Sequence, residues 1–158
     1  MFNLEYFRSK IDEVDGIPTL KSSDDLRSPE VKRDYKESLV IIKKEWVSVE
    51  DYILVKKFGY DCLHTTRKAK LTKYAFSQKT ENDTYPISVL KKSDFKYSLI
   101  DCDFHYILWV NSNDTQVIKK ALEIQKAKFA GTNYVYFQNE PKNQSVKRLT
   151  HFHFLCKL

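Results

Sequence analysis

The chain has 158 residues, of which 42% are hydrophobic and 14% aromatic, enough for one compact domain with a sizeable core. With only three glycines and four prolines, collagen-like and low-complexity sequences are excluded. The formal net charge is +6, but 22 of the 27 basic residues are Lys rather than Arg, the residue preferred at phosphates and base edges, so we predict no nucleic-acid partner.

The N-terminal third is predicted to be mainly helical. A short helix is expected over residues 2–12, and a loop over 13–27, which is acidic and rich in turn-forming residues. Ser28, Pro29 and Glu30 then predict a helix start, because they supply a capping hydroxyl, a fixed φ angle and an acid in the first turn. Apolar residues recur behind this start at helical spacing, at Val31, Tyr35, Leu39, Ile42 and Trp46.

Further along the chain the pattern changes from helical to β-like. Ser48 offers a second helix cap, and that helix should end at Gly59. From about residue 70 the sequence breaks into short runs, of which 71–76 and 85–90 are weak strand candidates. The clearest strand is 104–110, because it is rich in aromatic and β-branched residues.

The last part of the chain adds one helix and two strands. Asp114 lies at the start of an apolar helical stripe that ends before Gly131. Strands are predicted at 133–138 and 149–156. The order of elements predicts the α+β class, with N-terminal helices packed on a mainly antiparallel sheet.

We predict a single domain over residues 1–158, with a helical part (1–59) and a sheet-rich part (70–158). The three cysteines are odd in number and never spaced as C-x-x-C, which argues against a disulfide framework or a cysteine zinc site. The N terminus lacks the apolar core of a signal peptide, and no apolar run reaches the length of a membrane span. We therefore expect a cytoplasmic protein with no membrane partner.

Two of the four histidines fall in one tripeptide of the last predicted strand. Because side chains alternate along a strand, His151 and His153 should point to one face, and Phe152, Phe154 and Cys156 to the other. We expect the aromatic face to pack into the core. The two imidazoles would then lie side by side and mark a candidate site.

Several other residues are candidates for the same site. His105 shares a face of its strand with Trp109, and the segment 139–147 supplies amides and a hydroxyl just before the histidines. We predict a pocket where the His105 and His151 strands meet this segment. Its candidate ligand-binding residues are Asn139, Gln144, Ser145, Trp109 and Asp94.

Five blocks of the sequence follow one another in a recognisable order: 26–30 with Tyr35, then 48–53, 90–97, 105–109, and Asn139 with 144–146 and 151–153. In this order the chain resembles an uncharacterised family typified by fungal N-acetylglucosamine-induced protein 1. The family's name records an expression response, so the resemblance implies no reaction.

The closing block carries a second, weaker resemblance. Asn139, the run Gln-Ser-Val at 144–146 and the pair His151 and His153 are similar to the histidine-triad nucleotide hydrolases and their uridylyltransferase relatives. The similarity implies a histidine-triad-like sheet, in which His153 attacks an α-phosphate and His151 orients it. Asn139 and Ser145 would contact the phosphate or ribose. The implied function is an intracellular phosphoesterase or transferase acting on a nucleotide or nucleotide-sugar.

Two alternatives stay open, and neither needs this reaction. His105, His151 and His153 together offer three nitrogens to a metal-dependent enzyme, if their strands lie close together. Alternatively, the histidines are hydrogen-bonded sheet residues of a non-enzymatic protein that binds a small ligand, or of a regulatory protein that binds a protein partner. The expected ligand is a nucleotide or phosphorylated sugar, and we predict no cofactor.

Overall fold

The structure, a computed structural model, describes residues 1–67, 70–79, 85–144, 146 and 149–158. Within this part of the chain the α-helices are α1 (Leu4–Lys10), α2 (Pro29–Glu45), α3 (Val49–Lys56) and α4 (Thr115–Phe129). The strands are β1 (Ile11–Val14), β2 (Ile17–Leu20), β3 (Asp61–Arg67), β4 (Lys70–Gln78), β5 (Ser88–Lys92), β6 (Phe104–Val110), β7 (Asn133–Asn139) and β8 (Thr150–Lys157). A 3₁₀ turn covers Pro141–Asn143. The predicted α+β class is confirmed.

Six strands form one sheet in the order β1-β2-β7-β8-β6-β5. Every neighbouring pair is antiparallel except β2 and β7, which run parallel over two residue pairs. The sheet is therefore mainly antiparallel, as predicted, and β8 lies inside it between β7 and β6. Strands β3 and β4 form a separate two-stranded hairpin.

The helices begin where the sequence places their caps. The Ser28 hydroxyl accepts a hydrogen bond from the Val31 backbone N–H at 3.2 Å, and Pro29 is the first helical residue of α2. Ser48 caps α3 in the same way, and the carboxylate of Asp114 caps α4. These local signals are reliable because a cap acts within three residues of its own position.

The predicted loop over 13–27 is wrong in its first half, because β1 and β2 form a hairpin there. Its turn uses Asp15 and Gly16, both at positive φ. Asp12 and Glu13 are residue types depleted in strands, so β1 does not look like a strand in the sequence. The helical N-terminal part therefore contains two strands of the main sheet.

Both faces of the main sheet are covered. Helix α4 packs on the face that carries Leu108, Phe152 and Phe154. On the opposite face, α1 and the segment 93–102 cover one end, where Leu155 lies, and α3 covers the other, where Trp109 lies. All side chains of β8 from residue 151 to residue 156 are consequently buried, and the histidine face lies inside the protein.

No helix in the described part of the chain is both long enough and apolar enough to cross a membrane.

Candidate functional site

The pairing of β6 with β8 brings two of the predicted site histidines into contact. Ile107 faces His153 across the two strands, so His105 lies diagonally opposite His153 on the same face of the sheet. Nε2 of His105 and Nδ1 of His153 are 2.8 Å apart. The two side chains are only 1% and 2% exposed, so they hydrogen bond to each other out of contact with solvent.

The direction of this hydrogen bond follows from a backbone donor. The N–H of Tyr97 lies 3.3 Å from Nδ1 of His105 and can only donate, so Nδ1 carries no proton. The proton of a neutral His105 is then on Nε2, which donates to Nδ1 of His153. His153 in turn carries its own proton on Nε2. Nδ1 of His153 therefore accepts a hydrogen bond, and its Nε2–H is a donor to the groups described next.

The chain of hydrogen bonds ends at two polar side chains. Nε2 of His153 lies 3.2 Å from the side-chain amide of Asn139 and 3.4 Å from the Tyr97 hydroxyl. That hydroxyl is itself 3.2 Å from the same amide. With the amide oxygen of Asn139 turned toward both groups, it accepts from Nε2–H of His153 and from the Tyr97 hydroxyl; the oxygen and nitrogen of an amide are assigned from the network around them.

The charge state of the buried pair is set by its surroundings. Burial lowers the pKa of His105 to about 3, with further lowering by the nearby Arg27 and Lys96 charges. Burial also lowers the pKa of His153 well below its usual value, helped by the neighbouring His105 and His151. Both imidazoles are neutral at pH 7, which agrees with the direction of the hydrogen bonds.

His151 has a different environment from His153. Its Nδ1–H donates to the backbone carbonyl of Leu149 at 3.2 Å, so the lone pair of the neutral ring is on Nε2. No residue in the described part of the chain hydrogen bonds to this Nε2. Burial lowers the pKa of His151, while the bond to Leu149 acts in the opposite direction. The His151 ring packs against the Trp109 ring, with the ring centroids 4.9 Å apart and the planes inclined at 34°.

A cavity of about 410 Å³ opens beside His151. It lies between helices α2 and α3 and the face of the sheet formed by β6 and β8. Its walls are largely apolar, with Trp109, Phe95 and Tyr52 as aromatic members. The histidine network forms part of the wall, through His153.

The charged groups around this cavity are mainly positive. Arg27, Lys56 and Lys57 line it, against the single carboxylate of Asp94. The Arg27 guanidinium lies over the rings of Tyr35 and Tyr97, 4.9 and 5.0 Å from their centroids. Its Nε donates to the Phe95 carbonyl at 2.8 Å. Lys57 forms an ion pair with Asp94 at 2.9 Å. The cavity therefore has the charge of a site for an anion.

The structure brings most of the predicted site residues together. His151, His153, Asn139, Trp109 and Asp94 all line the cavity.

The other three predicted residues are placed differently. His105 lies behind His153 and does not line the cavity. The amide of Gln144 donates to the backbone carbonyl of Asn139 at 2.8 Å, so it holds the turn after β7 without lining the cavity. Ser145 lies outside the described residues. Which of these residues act in a function stays a prediction.

Sequence reasoning missed the basic residues and the tyrosine of the site. Arg27 stands beside the α2 cap, and Tyr97 lies in the turn before β6. Both fall within the blocks that carried the family resemblance, which was the available signal. Neither has a local pattern that predicts a role, because the hydrogen-bond partners are distant in sequence. Arg27 donates to Phe95, 68 residues further on, and the Tyr97 hydroxyl contacts Asn139, 42 residues further on.

The arrangement does not form a three-histidine metal site. The His105–His153 hydrogen bond engages one ring nitrogen of each histidine, and the remaining nitrogens contact the Tyr97 N–H and the Asn139 amide. The rings of His151 and His153 are inclined at 67° with their centroids 5.8 Å apart. Among the described residues, no group of three or more His, Cys, Asp or Glu side chains could hold a metal ion.

The fold and the site together define an α+β protein with a buried neutral histidine network beside a cationic cavity. Residues 17–157 match the family described as a protein of unknown function, DUF3605, and the chain belongs to that family. The expectation of an uncharacterised family is thereby confirmed.

The crystal structure of a protein named HTC1 is similar over 84% of this chain and 75% of that one, with 19% identity and a TM-score of 0.50. At this identity the likeness concerns the fold alone. No curated protein was found to match the sequence. The resemblances to the N-acetylglucosamine-induced protein and to the histidine-triad enzymes stay predictions.

Proposed function

We propose that the protein binds a small phosphorylated molecule, a nucleotide or a phosphorylated sugar, in the cavity beside His151. The observation that supports this most directly is the combination of three cationic side chains with apolar walls in a volume of about 410 Å³. Small-molecule sites typically enclose roughly 300–1,000 Å³ and carry a few polar groups on an apolar lining.

Arg27 is the proposed phosphate contact. A guanidinium presents donors in a planar fork that matches phosphate oxygens, and the two tyrosine rings hold its plane in place. Trp109 and Phe95 line the same cavity and give it aromatic surface for the remainder of the ligand.

Calorimetric titration with AMP, UMP and glucose 6-phosphate tests this proposal, with adenosine, uridine and glucose as the unphosphorylated counterparts. Arg27→Gln should weaken binding of the phosphorylated ligands by about tenfold to a hundredfold, since a hydrogen bond to a charged group contributes about 1.5–3 kcal/mol. Arg33→Gln is the matched control, because Arg33 is an exposed α2 residue that does not line this cavity. If the unaltered protein binds none of the three phosphorylated ligands, the proposal is wrong.

A second candidate function is phosphoester chemistry at His151. It is supported by the Nδ1–H bond to Leu149, which leaves the Nε2 lone pair beside the cavity. A neutral imidazole needs no deprotonation to attack the α-phosphorus; as the bond from Nε2 to phosphorus forms, the bond from that phosphorus to the bridging oxygen breaks and the sugar phosphate leaves. Water then displaces the imidazole and releases the nucleoside monophosphate, while cationic side chains stabilise the charge that develops on the phosphoryl oxygens. This reverses the roles implied by the histidine-triad similarity, because both ring nitrogens of His153 are already engaged.

Turnover of ADP-glucose and UDP-glucose, followed by chromatography of the products, separates the two candidates. His151→Asn keeps a side-chain donor near the Leu149 carbonyl but removes the nucleophilic nitrogen. On the catalytic candidate this variant loses at least a hundredfold in rate and still binds ligand. Equal turnover by the variant and the unaltered protein rejects the candidate and leaves ligand binding intact.

A reducing, cytoplasmic setting is part of the same proposal. The setting is supported by Cys62, Cys102 and Cys156, which all lie in the described part of the chain and are free thiols. A purely regulatory role through a protein partner has less support, since the histidine cluster lies inside the fold rather than on its surface.

A further inference from the structure

A second cavity of about 440 Å³ adjoins the one described above. The two cavities share a wall built from three different parts of the chain: the residue before the α2 cap, one face of α2, and the end of β7 with the 3₁₀ turn that follows it. The shared lining residues are Arg27, Tyr35, Leu39, Asn139 and Asn143. Because each of these side chains borders both spaces, the two cavities are neighbours rather than separate sites.

The two spaces differ in chemistry. The first is lined by aromatic and aliphatic side chains around Trp109 and His151. The second also contains leucine and tyrosine side chains, but nine of its fourteen lining residues are polar or charged, among them Ser22, Ser23 and Lys36, against ten of twenty in the first. Hydroxyl, carboxylate and ammonium groups of this kind suit a ligand with many hydroxyl groups, whereas the first space suits a planar ring.

Arg27 stands at the boundary between the two spaces. Its Nε is engaged by the Phe95 carbonyl, and its plane covers the rings of Tyr35 and Tyr97. No residue in the described ranges accepts a hydrogen bond from its two Nη groups. These donors are available to an anionic group lying between the two cavities. The guanidinium already lies against one face of both tyrosine rings that line the second cavity, so a second planar base would have to displace it to stack on that face.

We propose that the two cavities are compartments of one site, and that its ligand is a nucleoside diphosphate sugar. The base occupies the first compartment near Trp109, the diphosphate lies against Arg27, and the sugar occupies the second compartment. This inference rests on the proposed function, and it selects a two-part ligand over a mononucleotide or a simple sugar phosphate.

Two serines provide matched variants, because each lines only one compartment. Ser38→Trp places an indole in the first, and Ser23→Trp places one in the second. Titration calorimetry is run on both variants and the unaltered protein with UMP, UDP and UDP-glucose, and with AMP, ADP and ADP-glucose. Circular dichroism melting confirms that each variant is folded.

In the nucleotide series that binds, the sugar nucleotide should bind at least tenfold more tightly than the diphosphate, because only the sugar enters the second compartment. Ser23→Trp should remove this preference, and Ser38→Trp should weaken all members of the series at least tenfold. Equal affinities for diphosphate and sugar nucleotide, or a preference unchanged by Ser23→Trp, overturn the two-compartment inference while leaving the proposed function standing. Absence of binding by every phosphorylated probe overturns both.

Discussion

The buried histidine pair makes the stability of the protein depend on pH in a defined direction. The pKa of His105 is about 3 in the folded protein, against about 6.5 in an unfolded chain. Between these values the unfolded chain binds more protons than the folded one, so the free energy of unfolding falls as the pH is lowered. Stability from this group is complete above pH 6.5 and is lost progressively toward pH 3.

The size of the effect follows from the difference between the two pKa values. Each pH unit within the window costs about 1.4 kcal/mol for one group, so the change from pH 7 to pH 5 amounts to about 2 kcal/mol for His105. The pair titrates as a coupled unit, and the lowered pKa values of His153 and His151 act in the same direction.

Urea unfolding at pH 7 and pH 5 measures this dependence, with His105→Gln as the informative variant. A Gln amide keeps one acceptor for the Tyr97 N–H and one donor for His153, but it does not titrate. Between pH 7 and pH 5, the free energy of unfolding should fall by about 2 kcal/mol less in the variant than in the unaltered protein. His64→Gln, at an exposed position in β3, should behave like the unaltered protein. The same loss in His105→Gln as in the unaltered protein would refute the assignment of a depressed pKa to this pair.

Three further substitutions test other parts of the structure. Tyr97→Phe removes the hydroxyl at the end of the histidine network and should destabilise the protein by about 1–2 kcal/mol in urea unfolding; an unchanged midpoint would contradict the network. Ser28→Ala should cost about 1 kcal/mol through the lost α2 cap, whereas Ser38→Ala inside the same helix should cost nothing, and equal losses would exclude capping as the cause. Asp94→Asn frees Lys57 and should raise affinity for a monophosphate by up to about fivefold, an increase that the remote Glu123→Gln should not reproduce.

Much of the fold could be predicted because its signals are local. The caps at Ser28 and Ser48 act over one helical turn, and the alternation in β8 separates His151 and His153 from the residues packed under α4. The β1–β2 hairpin could not be predicted in this way, because β1 is acidic and its place in the sheet depends on β2 pairing with β7, more than 100 residues further on.

The chemistry of the candidate site was harder to predict than its location. The sequence places His151 and His153 on one face but contains no information about which nitrogen carries the proton. That depends on the Tyr97 backbone N–H for one histidine and on the Leu149 carbonyl for the other. The sequence-based assignment of His153 as the attacking residue therefore rested on order alone, and the catalytic candidate proposed above uses His151 because tertiary hydrogen bonds engage both ring nitrogens of His153.

The place of β8 between β6 and β7 has a consequence for how the chain folds as it is made. Ribosomes synthesise β6 and β7 first, and these two strands do not pair with each other. Their facing edges stay without backbone partners until β8 has emerged, so contacts between distant parts of the chain must form late. Nascent chains stalled before residue 150 should therefore expose unpaired strand edges and recruit chaperones, while chains released after β8 should not.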